Sequence, residues 1–151
     1  MDFSPYFDYS TNTKTQKKNI SFLARFTEED WKNFLQYAQI YTVNEGEQIV
    51  KYQEQDPSLF IVVKGEFAVL IPELDSDRFY KIASITEGSI FGELNFIDGE
   101  PRSASIKAMT DGQLIQLTRN AFDIMATKEK RLMEIFLFDL CFVLAQRLRN
   151  K

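Results

Sequence analysis

Between Tyr41 and Thr118 the chain is cut into short apolar or alternating segments by residues that favour turns. The segments are Tyr41–Val43, Gln48–Tyr52, Leu59–Val63, Phe67–Ile71, Phe79–Ile85, Ser103–Met109 and Gln113–Leu117. The breaks fall at Asn44-Glu45-Gly46, Asp56-Pro57-Ser58, Lys64-Gly65, Pro72–Asp77, Glu87-Gly88, Asp98-Gly99 and Asp111-Gly112. Glycine supplies the positive φ that tight turns need, and Asn and Asp bond to their own backbone there. No segment is long enough for a helix, and a period of two turns successive side chains to opposite faces. Seven or eight such strands fold as an antiparallel sandwich or a jelly-roll barrel.

Helical spacing appears only on the flanks. Thr27 can cap a first helix, with Asp30 three residues on as the reciprocal acid, and Trp31, Phe34, Leu35 and Ala38 share one face. Trp31 is expected to anchor this helix to the barrel, and Phe22, Leu23 and Phe26 predict a short turn leading in. Thr118 or Asn120 caps a short helix carrying Phe122, Ile124 and Met125. A longer one runs from about Lys130 to Arg149, with Leu132, Ile135, Phe136, Leu140, Val143, Leu144 and Leu148 at helical spacing. Leu137, Phe138, Cys141 and Phe142 add apolar bulk on other sides. A helix apolar most of the way round needs more than one partner, so the barrel on one side and a second copy on the other are expected, giving a homodimer. Cys141 is expected to be an inert core thiol.

Residues 1–19 are polar and aromatic without periodicity and are expected to be a flexible lead-in; residues 20–151 form the domain. With 151 residues, the chain holds a single core, and 14 phenylalanines predict that it is aromatic. The net charge of −4 opposes binding to a nucleic-acid backbone, which needs a basic face. There is no histidine and one cysteine. A Ser-His-Asp triad, a Cys-His dyad, a histidine-held metal and an internal disulfide are therefore excluded, and with them a cupin-type metal enzyme. No apolar run spans a bilayer and no leader is evident, so a cytoplasmic protein that meets neither membrane nor nucleic acid directly is expected.

One stretch, Gly88 to Ser105, departs from the strand pattern. Phe91-Gly92-Glu93-Leu94 ends a strand and opens a single helical turn, where free backbone N–H groups stand beside a glycine that permits close approach. Nine residues after Glu93 comes Arg102, set between Pro101 and the small Ser103 and Ala104. An arginine fork suits two phosphate oxygens, and a carboxylate accepts from sugar hydroxyls. Together they fit a phosphorylated ribose.

Phe91-Gly92-Glu93-Leu94 followed by Pro101-Arg102-Ser103-Ala104-Ser105-Ile106-Lys107-Ala108 closely resembles the phosphate-binding cassette of cyclic-nucleotide-binding domains, as found in the catabolite activator protein and in regulatory subunits of cyclic-nucleotide-dependent kinases. The similarity extends to Tyr41, Gly46-Glu47 and Ile49, to Leu59–Val62 and Gly65, and to Leu144–Leu148. The resemblance implies a mainly β fold with flanking helices: an antiparallel eight-stranded jelly-roll (double-stranded β-helix) barrel, an N-terminal helix and two C-terminal helices. It also implies roles. Arg102 would pair with an oxygen of the cyclic phosphate. Backbone N–H groups of Gly92 to Leu94, and of Ser103 or Ala104, would hold the other oxygen and the ribose. Glu93 would accept the 2′-hydroxyl, and Ser103 would stand beside the phosphate. Phe91 belongs to the same motif, and Val69, Ile82 and Ile85 would line the base.

Two departures stand out. Gln53 occupies a position where the family usually has glycine, which suggests a different turn. Asn95 and the bulky Phe96 follow where a small apolar residue is usual; Asn95 could bond the cassette backbone or reshape the pocket. The resulting expectation is a non-catalytic sensor of cAMP rather than cGMP, free of cofactors and metals, that moves its C-terminal helices and acts through an effector protein. The alternative is a degenerate barrel that serves only as an interaction or dimerisation module.

Overall fold

The computed structural model describes residues 22–150; the lead-in expected at 1–19 lies outside them. Helix α1 (Glu28–Phe34) precedes strands β1 (Gln39–Val43), β2 (Gln48–Val50), β3 (Ser58–Lys64), β4 (Phe67–Pro72), β5 (Phe79–Ile85) and β6 (Ile90–Phe91). Helix α2 (Glu93–Asp98), strands β7 (Ser105–Ala108) and β8 (Gly112–Thr118), and helices α3 (Arg119–Lys128) and α4 (Lys130–Arg149) complete the chain. The strands form two four-stranded antiparallel sheets, ordered β1-β8-β3-β6 and β2-β7-β4-β5. The fold is the mainly β jelly-roll type with flanking helices that the turn spacing and the resemblance imply.

The alternation along β3 shows how the two layers share one strand. Phe60 and Val62 point between the sheets, where they meet Val43, Val50, Phe67, Phe91, Ile106 and Leu114. Leu59, Ile61 and Val63 point the other way, into a second cluster with the helices. A strand buried on both faces reads as a continuous apolar run, as Leu59–Val63 does.

That second cluster is aromatic. Phe136 of α4 lies 5.3 Å from Phe22, 6.1 Å from Phe34, 5.8 Å from Phe96 and 5.3 Å from Phe122, ring centre to ring centre. Trp31 is buried here between Phe26 and Phe34, on the helix side of the sheet. One residue of α2, Phe96, therefore contacts both C-terminal helices. Arg119 adds a polar tie, its Nη1 donating to the carbonyls of Phe96 (3.2 Å) and Ile97 (3.3 Å) near the end of α2.

Thr27 caps α1 in the reciprocal arrangement that the sequence suggests. Its Oγ1 accepts from the Asp30 N–H, and its own N–H donates to Asp30 Oδ2. Thr118, not Asn120, caps α3. Cys141 is a correction: it is exposed, not core. Only Leu132, Ile135, Phe136 and Leu140 of α4 are buried. Leu137, Phe138, Cys141, Phe142 and Leu148 stand on the face turned away from the sheet, with Phe138 65% exposed. Among the described residues no helix is long and apolar enough to cross a membrane.

Candidate functional site

A cavity of about 360 Å³ opens between the β2-β7-β4-β5 sheet and the β6–α2 turn. Val50, Val69, Ala83, Ile85, Phe91 and Ile106 give it an apolar wall. Glu93, Asn95, Arg102, Ser103 and Arg147 supply a polar rim, with the apolar Leu94 and Ala104 beside them. The strand order brings these groups together, because β7 follows the cassette directly and pairs with both β2 and β4.

Arg102 is 2% exposed, held by a cage of acceptors. Its Nη1 donates to the Gly92 carbonyl at 3.1 Å and to Asn95 Oδ1 at 3.0 Å. Its Nη2 donates to the Ser58 carbonyl at 2.8 Å and lies 3.2 Å from Asp56 Oδ2. Nε alone is left buried without a hydrogen-bond partner among the described residues. The guanidinium also sits 5.9 Å from the centre of the Phe60 ring. Its backbone is pinned from the β2–β3 loop: Gln53 N–H donates to the Arg102 carbonyl at 2.8 Å, and Arg102 N–H donates to the Glu54 carbonyl at 2.9 Å. An unpaired buried donor is costly, so the Nε–H of this cavity-lining residue is a donor still open to an acceptor.

The expected turn glycine is required here on two counts. Gly92 has φ +78°, and a Cβ on it would stand 2.6 Å from Arg102 Nη1 and 2.7 Å from the Ser58 carbonyl oxygen. Gln53 stands in the β2–β3 loop. Its φ of 67° is the left-handed conformation that glycine adopts readily, so the position keeps that backbone conformation despite carrying a side chain.

Glu93, first residue of α2, is buried and bonded to Arg147 Nη1, while Arg147 Nη2 donates to the Ile90 carbonyl at 2.8 Å. Glu93 is therefore not the counter-ion of Arg102; that carboxylate is Asp56. Phe91 stacks on Phe60 at 4.9 Å and forms part of the cavity floor. Leu94, Ser103 and Ala104 stand on the rim, and the latter two belong to no strand or helix, so no sheet ladder takes up their N–H groups.

Of the three residues expected at a base, Val69 and Ile85 line the cavity and Ile82 does not. Ile82 is 53% exposed. The β4–β5 register explains it: Val69 pairs with Ala83 and Leu70 with Lys81, which leaves Ile82 as the extra residue of a bulge and turns its side chain outward. Asn95 bonds the cassette backbone, Nδ2 donating to the Glu100 carbonyl. Phe96 points away from the cavity into the helix cluster.

Arg147 and Asp56 are the groups that motif reading missed. Arg147 sits within the terminal segment that carries the resemblance and Asp56 within a turn signal, but neither has a local partner in sequence. Among the described residues no group of three or more acidic or cysteine side chains could hold a metal ion.

A family model described as "Cyclic nucleotide-binding domain" matches residues 41–129. A cGMP-dependent protein kinase of Plasmodium berghei (strain Anka) is 31% identical over 109 residues, covering 72% of this chain and 12% of the kinase. A cyclic nucleotide-gated potassium channel of Mesorhizobium japonicum is 32% identical over 95 residues, covering 63% of this chain and 24% of the channel. The chain thus spans a quarter or less of these relatives' length. Among solved structures, a cyclic nucleotide-binding domain from Methylobacillus flagellatus KT superposes with a TM-score of 0.76 at 27% identity, over 83% of this chain and 70% of that one.

Proposed function

The chain belongs to the cyclic nucleotide-binding domain family, and we propose that it is a non-catalytic sensor of a cyclic nucleoside monophosphate, cAMP in preference to cGMP, that signals by moving α3 and α4. The observation that carries this reading is a buried arginine with an unpaired Nε–H that lines the same cavity as Glu93. In this reading the Arg102 Nε–H and the backbone N–H groups of Gly92–Leu94, Ser103 and Ala104 receive the phosphate oxygens. Glu93 accepts the ribose 2′-hydroxyl through Oε2, since Oε1 is the oxygen engaged by Arg147. Val69 and Ile85 flank the base.

The base preference rests on the mainly apolar side chains of that wall, where Val50, Val69, Ala83, Ile85 and Ile106 outnumber Ser84 and Ser89. Guanine has more polar edge groups than adenine to leave without partners, and unpaired buried polar groups are costly. The kinase relative is cGMP-dependent by name, which makes cGMP the competitor to test.

Movement follows from connectivity. Glu93, Asn95 and Phe96 all belong to α2, so a shift of α2 on closing over a phosphate reaches α3 and α4 through Phe96, Arg119 and Arg147. The outward stripe of α4 is proposed to pair with that of a second copy, and an effector protein would read the change. The ligand-free module is disfavoured because Phe96, the bulky residue that could have filled the cavity, packs elsewhere.

Isothermal titration with cAMP, cGMP and cyclic dinucleotides tests the reading. Saturable binding of cAMP tighter than cGMP is expected. No heat and no thermal shift with either mononucleotide at millimolar concentration would end it, because a ligand of the native state must raise stability by mass action.

A further inference from the structure

Resting on the reading above, we propose that Asn95 is a positioning residue for anion binding: through its bond to Nη1 it fixes the guanidinium of Arg102, a residue that lines the cavity and keeps one unpartnered donor, Nε–H. The argument begins with donor counting. A guanidinium has five N–H donors. In Arg102 the Nη1 and Nη2 groups make three hydrogen bonds, to Gly92 O, Asn95 Oδ1 and Ser58 O, and Nη2 forms an ion pair with Asp56 Oδ2, while Nε is left without a partner among the described residues. Three of those acceptors are backbone oxygens or lie on the β2–β3 loop. Asn95 is the one side-chain acceptor that comes from the cassette itself.

Its chemistry is specific. Asn95 is 5% exposed and uses both ends of its amide: Oδ1 accepts from Arg102, and Nδ2 donates to the Glu100 carbonyl two residues before that arginine. A single planar group therefore spans the loop from α2 to its return strand and sets the arginine's side chain and backbone approach together. Aspartate has the same shape but only acceptors, so it would face the Glu100 carbonyl with a carboxylate oxygen. It would also put a second anion on Arg102 beside Asp56. Alanine offers neither bond. An amide keeps the acceptor without cancelling the positive charge that an incoming phosphate needs.

The test uses the full chain with cAMP as probe. Asn95→Ala is expected to weaken binding about ten- to a hundredfold, the span of one hydrogen bond to a charged group. Asn95→Asp is expected to weaken it further. In an Arg102→Ala background, followed by NMR titration into the millimolar range, Asn95→Ala should change affinity no further, because Asn95 acts through that arginine. A merely structural role would give the same loss in both backgrounds. The second readout needs no ligand. The Nε–H of Arg102, identified by its loss in Arg102→Ala, should shift and exchange faster with solvent in Asn95→Ala. Unchanged affinity in Asn95→Ala, or equal losses in both backgrounds, overturns the proposal. If the wild type binds no cyclic nucleotide, the sensor reading falls, and Asn95 is judged on the Nε–H resonance alone: moved, it positions Arg102; unmoved, it does not.

Discussion

The Glu93 carboxylate is held by Arg147, a residue 54 positions further along and three from the end of the described chain, not by the arginine of its own loop. This pair joins the cavity rim to the last turn of α4. Arg147 is 40% exposed at its side chain, so the pair itself is worth little in stability. Its consequence is mechanical. Arg147→Ala is expected to change cyclic nucleotide affinity by less than about tenfold, the range for an exposed ion pair. The same variant should abolish the ligand-dependent change in amide hydrogen exchange over residues 143–149 that the wild type shows. A mutant whose helix still responds to ligand like the wild type would remove Arg147 from the signalling route.

Arg102→Ala removes a buried cation from the cavity lining and strands Asp56 beside it. Binding of cAMP should weaken by about 2–5 kcal/mol, the cost of losing one member of a buried charged pair. Arg102→Lys should recover only part of this, because an ammonium cannot reach Ser58, Gly92 and Asn95 at once while offering a further donor to the ligand. Calorimetry showing near-native affinity in either variant would refute the assigned role.

The sequence makes the local rules legible. Turn residues mark every strand boundary within a few positions, helical spacing gives α4 its observed limits of Lys130 and Arg149, and Thr27 with Asp30 foretells its own cap. The cassette is legible because Glu93 and Arg102 lie nine residues apart in one loop. What escapes is long-range or depends on a single inserted residue. Asp56 reaches Arg102 and Arg147 reaches Glu93 only once the two sheets have formed, and nothing near either residue signals it. Ile82 stands three residues before Ile85, an odd spacing that puts the two on opposite faces of a regular strand, and the resemblance that placed both at the base cannot see the one-residue bulge at Ile82. Cys141 sits on a helix apolar nearly all round, where periodicity gives no sign of which side the fold covers.

Gly92→Ala should be disproportionately harmful. The new methyl group would overlap both Arg102 Nη1 and the Ser58 carbonyl, in a backbone conformation that already disfavours a side chain. A loss of more than about 2 kcal/mol in denaturant unfolding is expected, with strain and displaced packing acting together. Affinity should fall with it, since the arginine must move to make room. Unchanged stability would mean that the turn has another conformation.

Gln53→Gly should act in the opposite direction. Gln53 is held at φ 67°, which costs an L residue roughly 1–2 kcal/mol, while glycine brings an entropic penalty of about 0.5–1 kcal/mol in the unfolded chain. The difference predicts a gain of up to about 1.5 kcal/mol in stability with cyclic nucleotide binding retained, because the bond to Arg102 uses the backbone N–H of residue 53. A destabilised variant would show that the glutamine side chain supports the loop in its own right.

The pH dependence of stability should carry a signature from Asp30, which ties α1 to α4. Burial alone would push its carboxyl up. The bonds from Arg131, the Thr27 N–H and the Thr27 hydroxyl outweigh that effect and hold it below the ordinary carboxylate value of 3.8. A carboxyl lowered in the folded state binds a proton more readily when unfolded, so stability rises with pH through this range. Its contribution is therefore complete above the ordinary value and is lost as pH falls through the lower folded value. Asp30→Asn removes the titration while keeping an oxygen that can accept from Thr27. In urea unfolding series between pH 5 and pH 2, the wild type should lose more stability than Asp30→Asn, and the two curves should converge at the acid end. Parallel curves throughout would mean that the α1–α4 tie does not depend on the Asp30 charge.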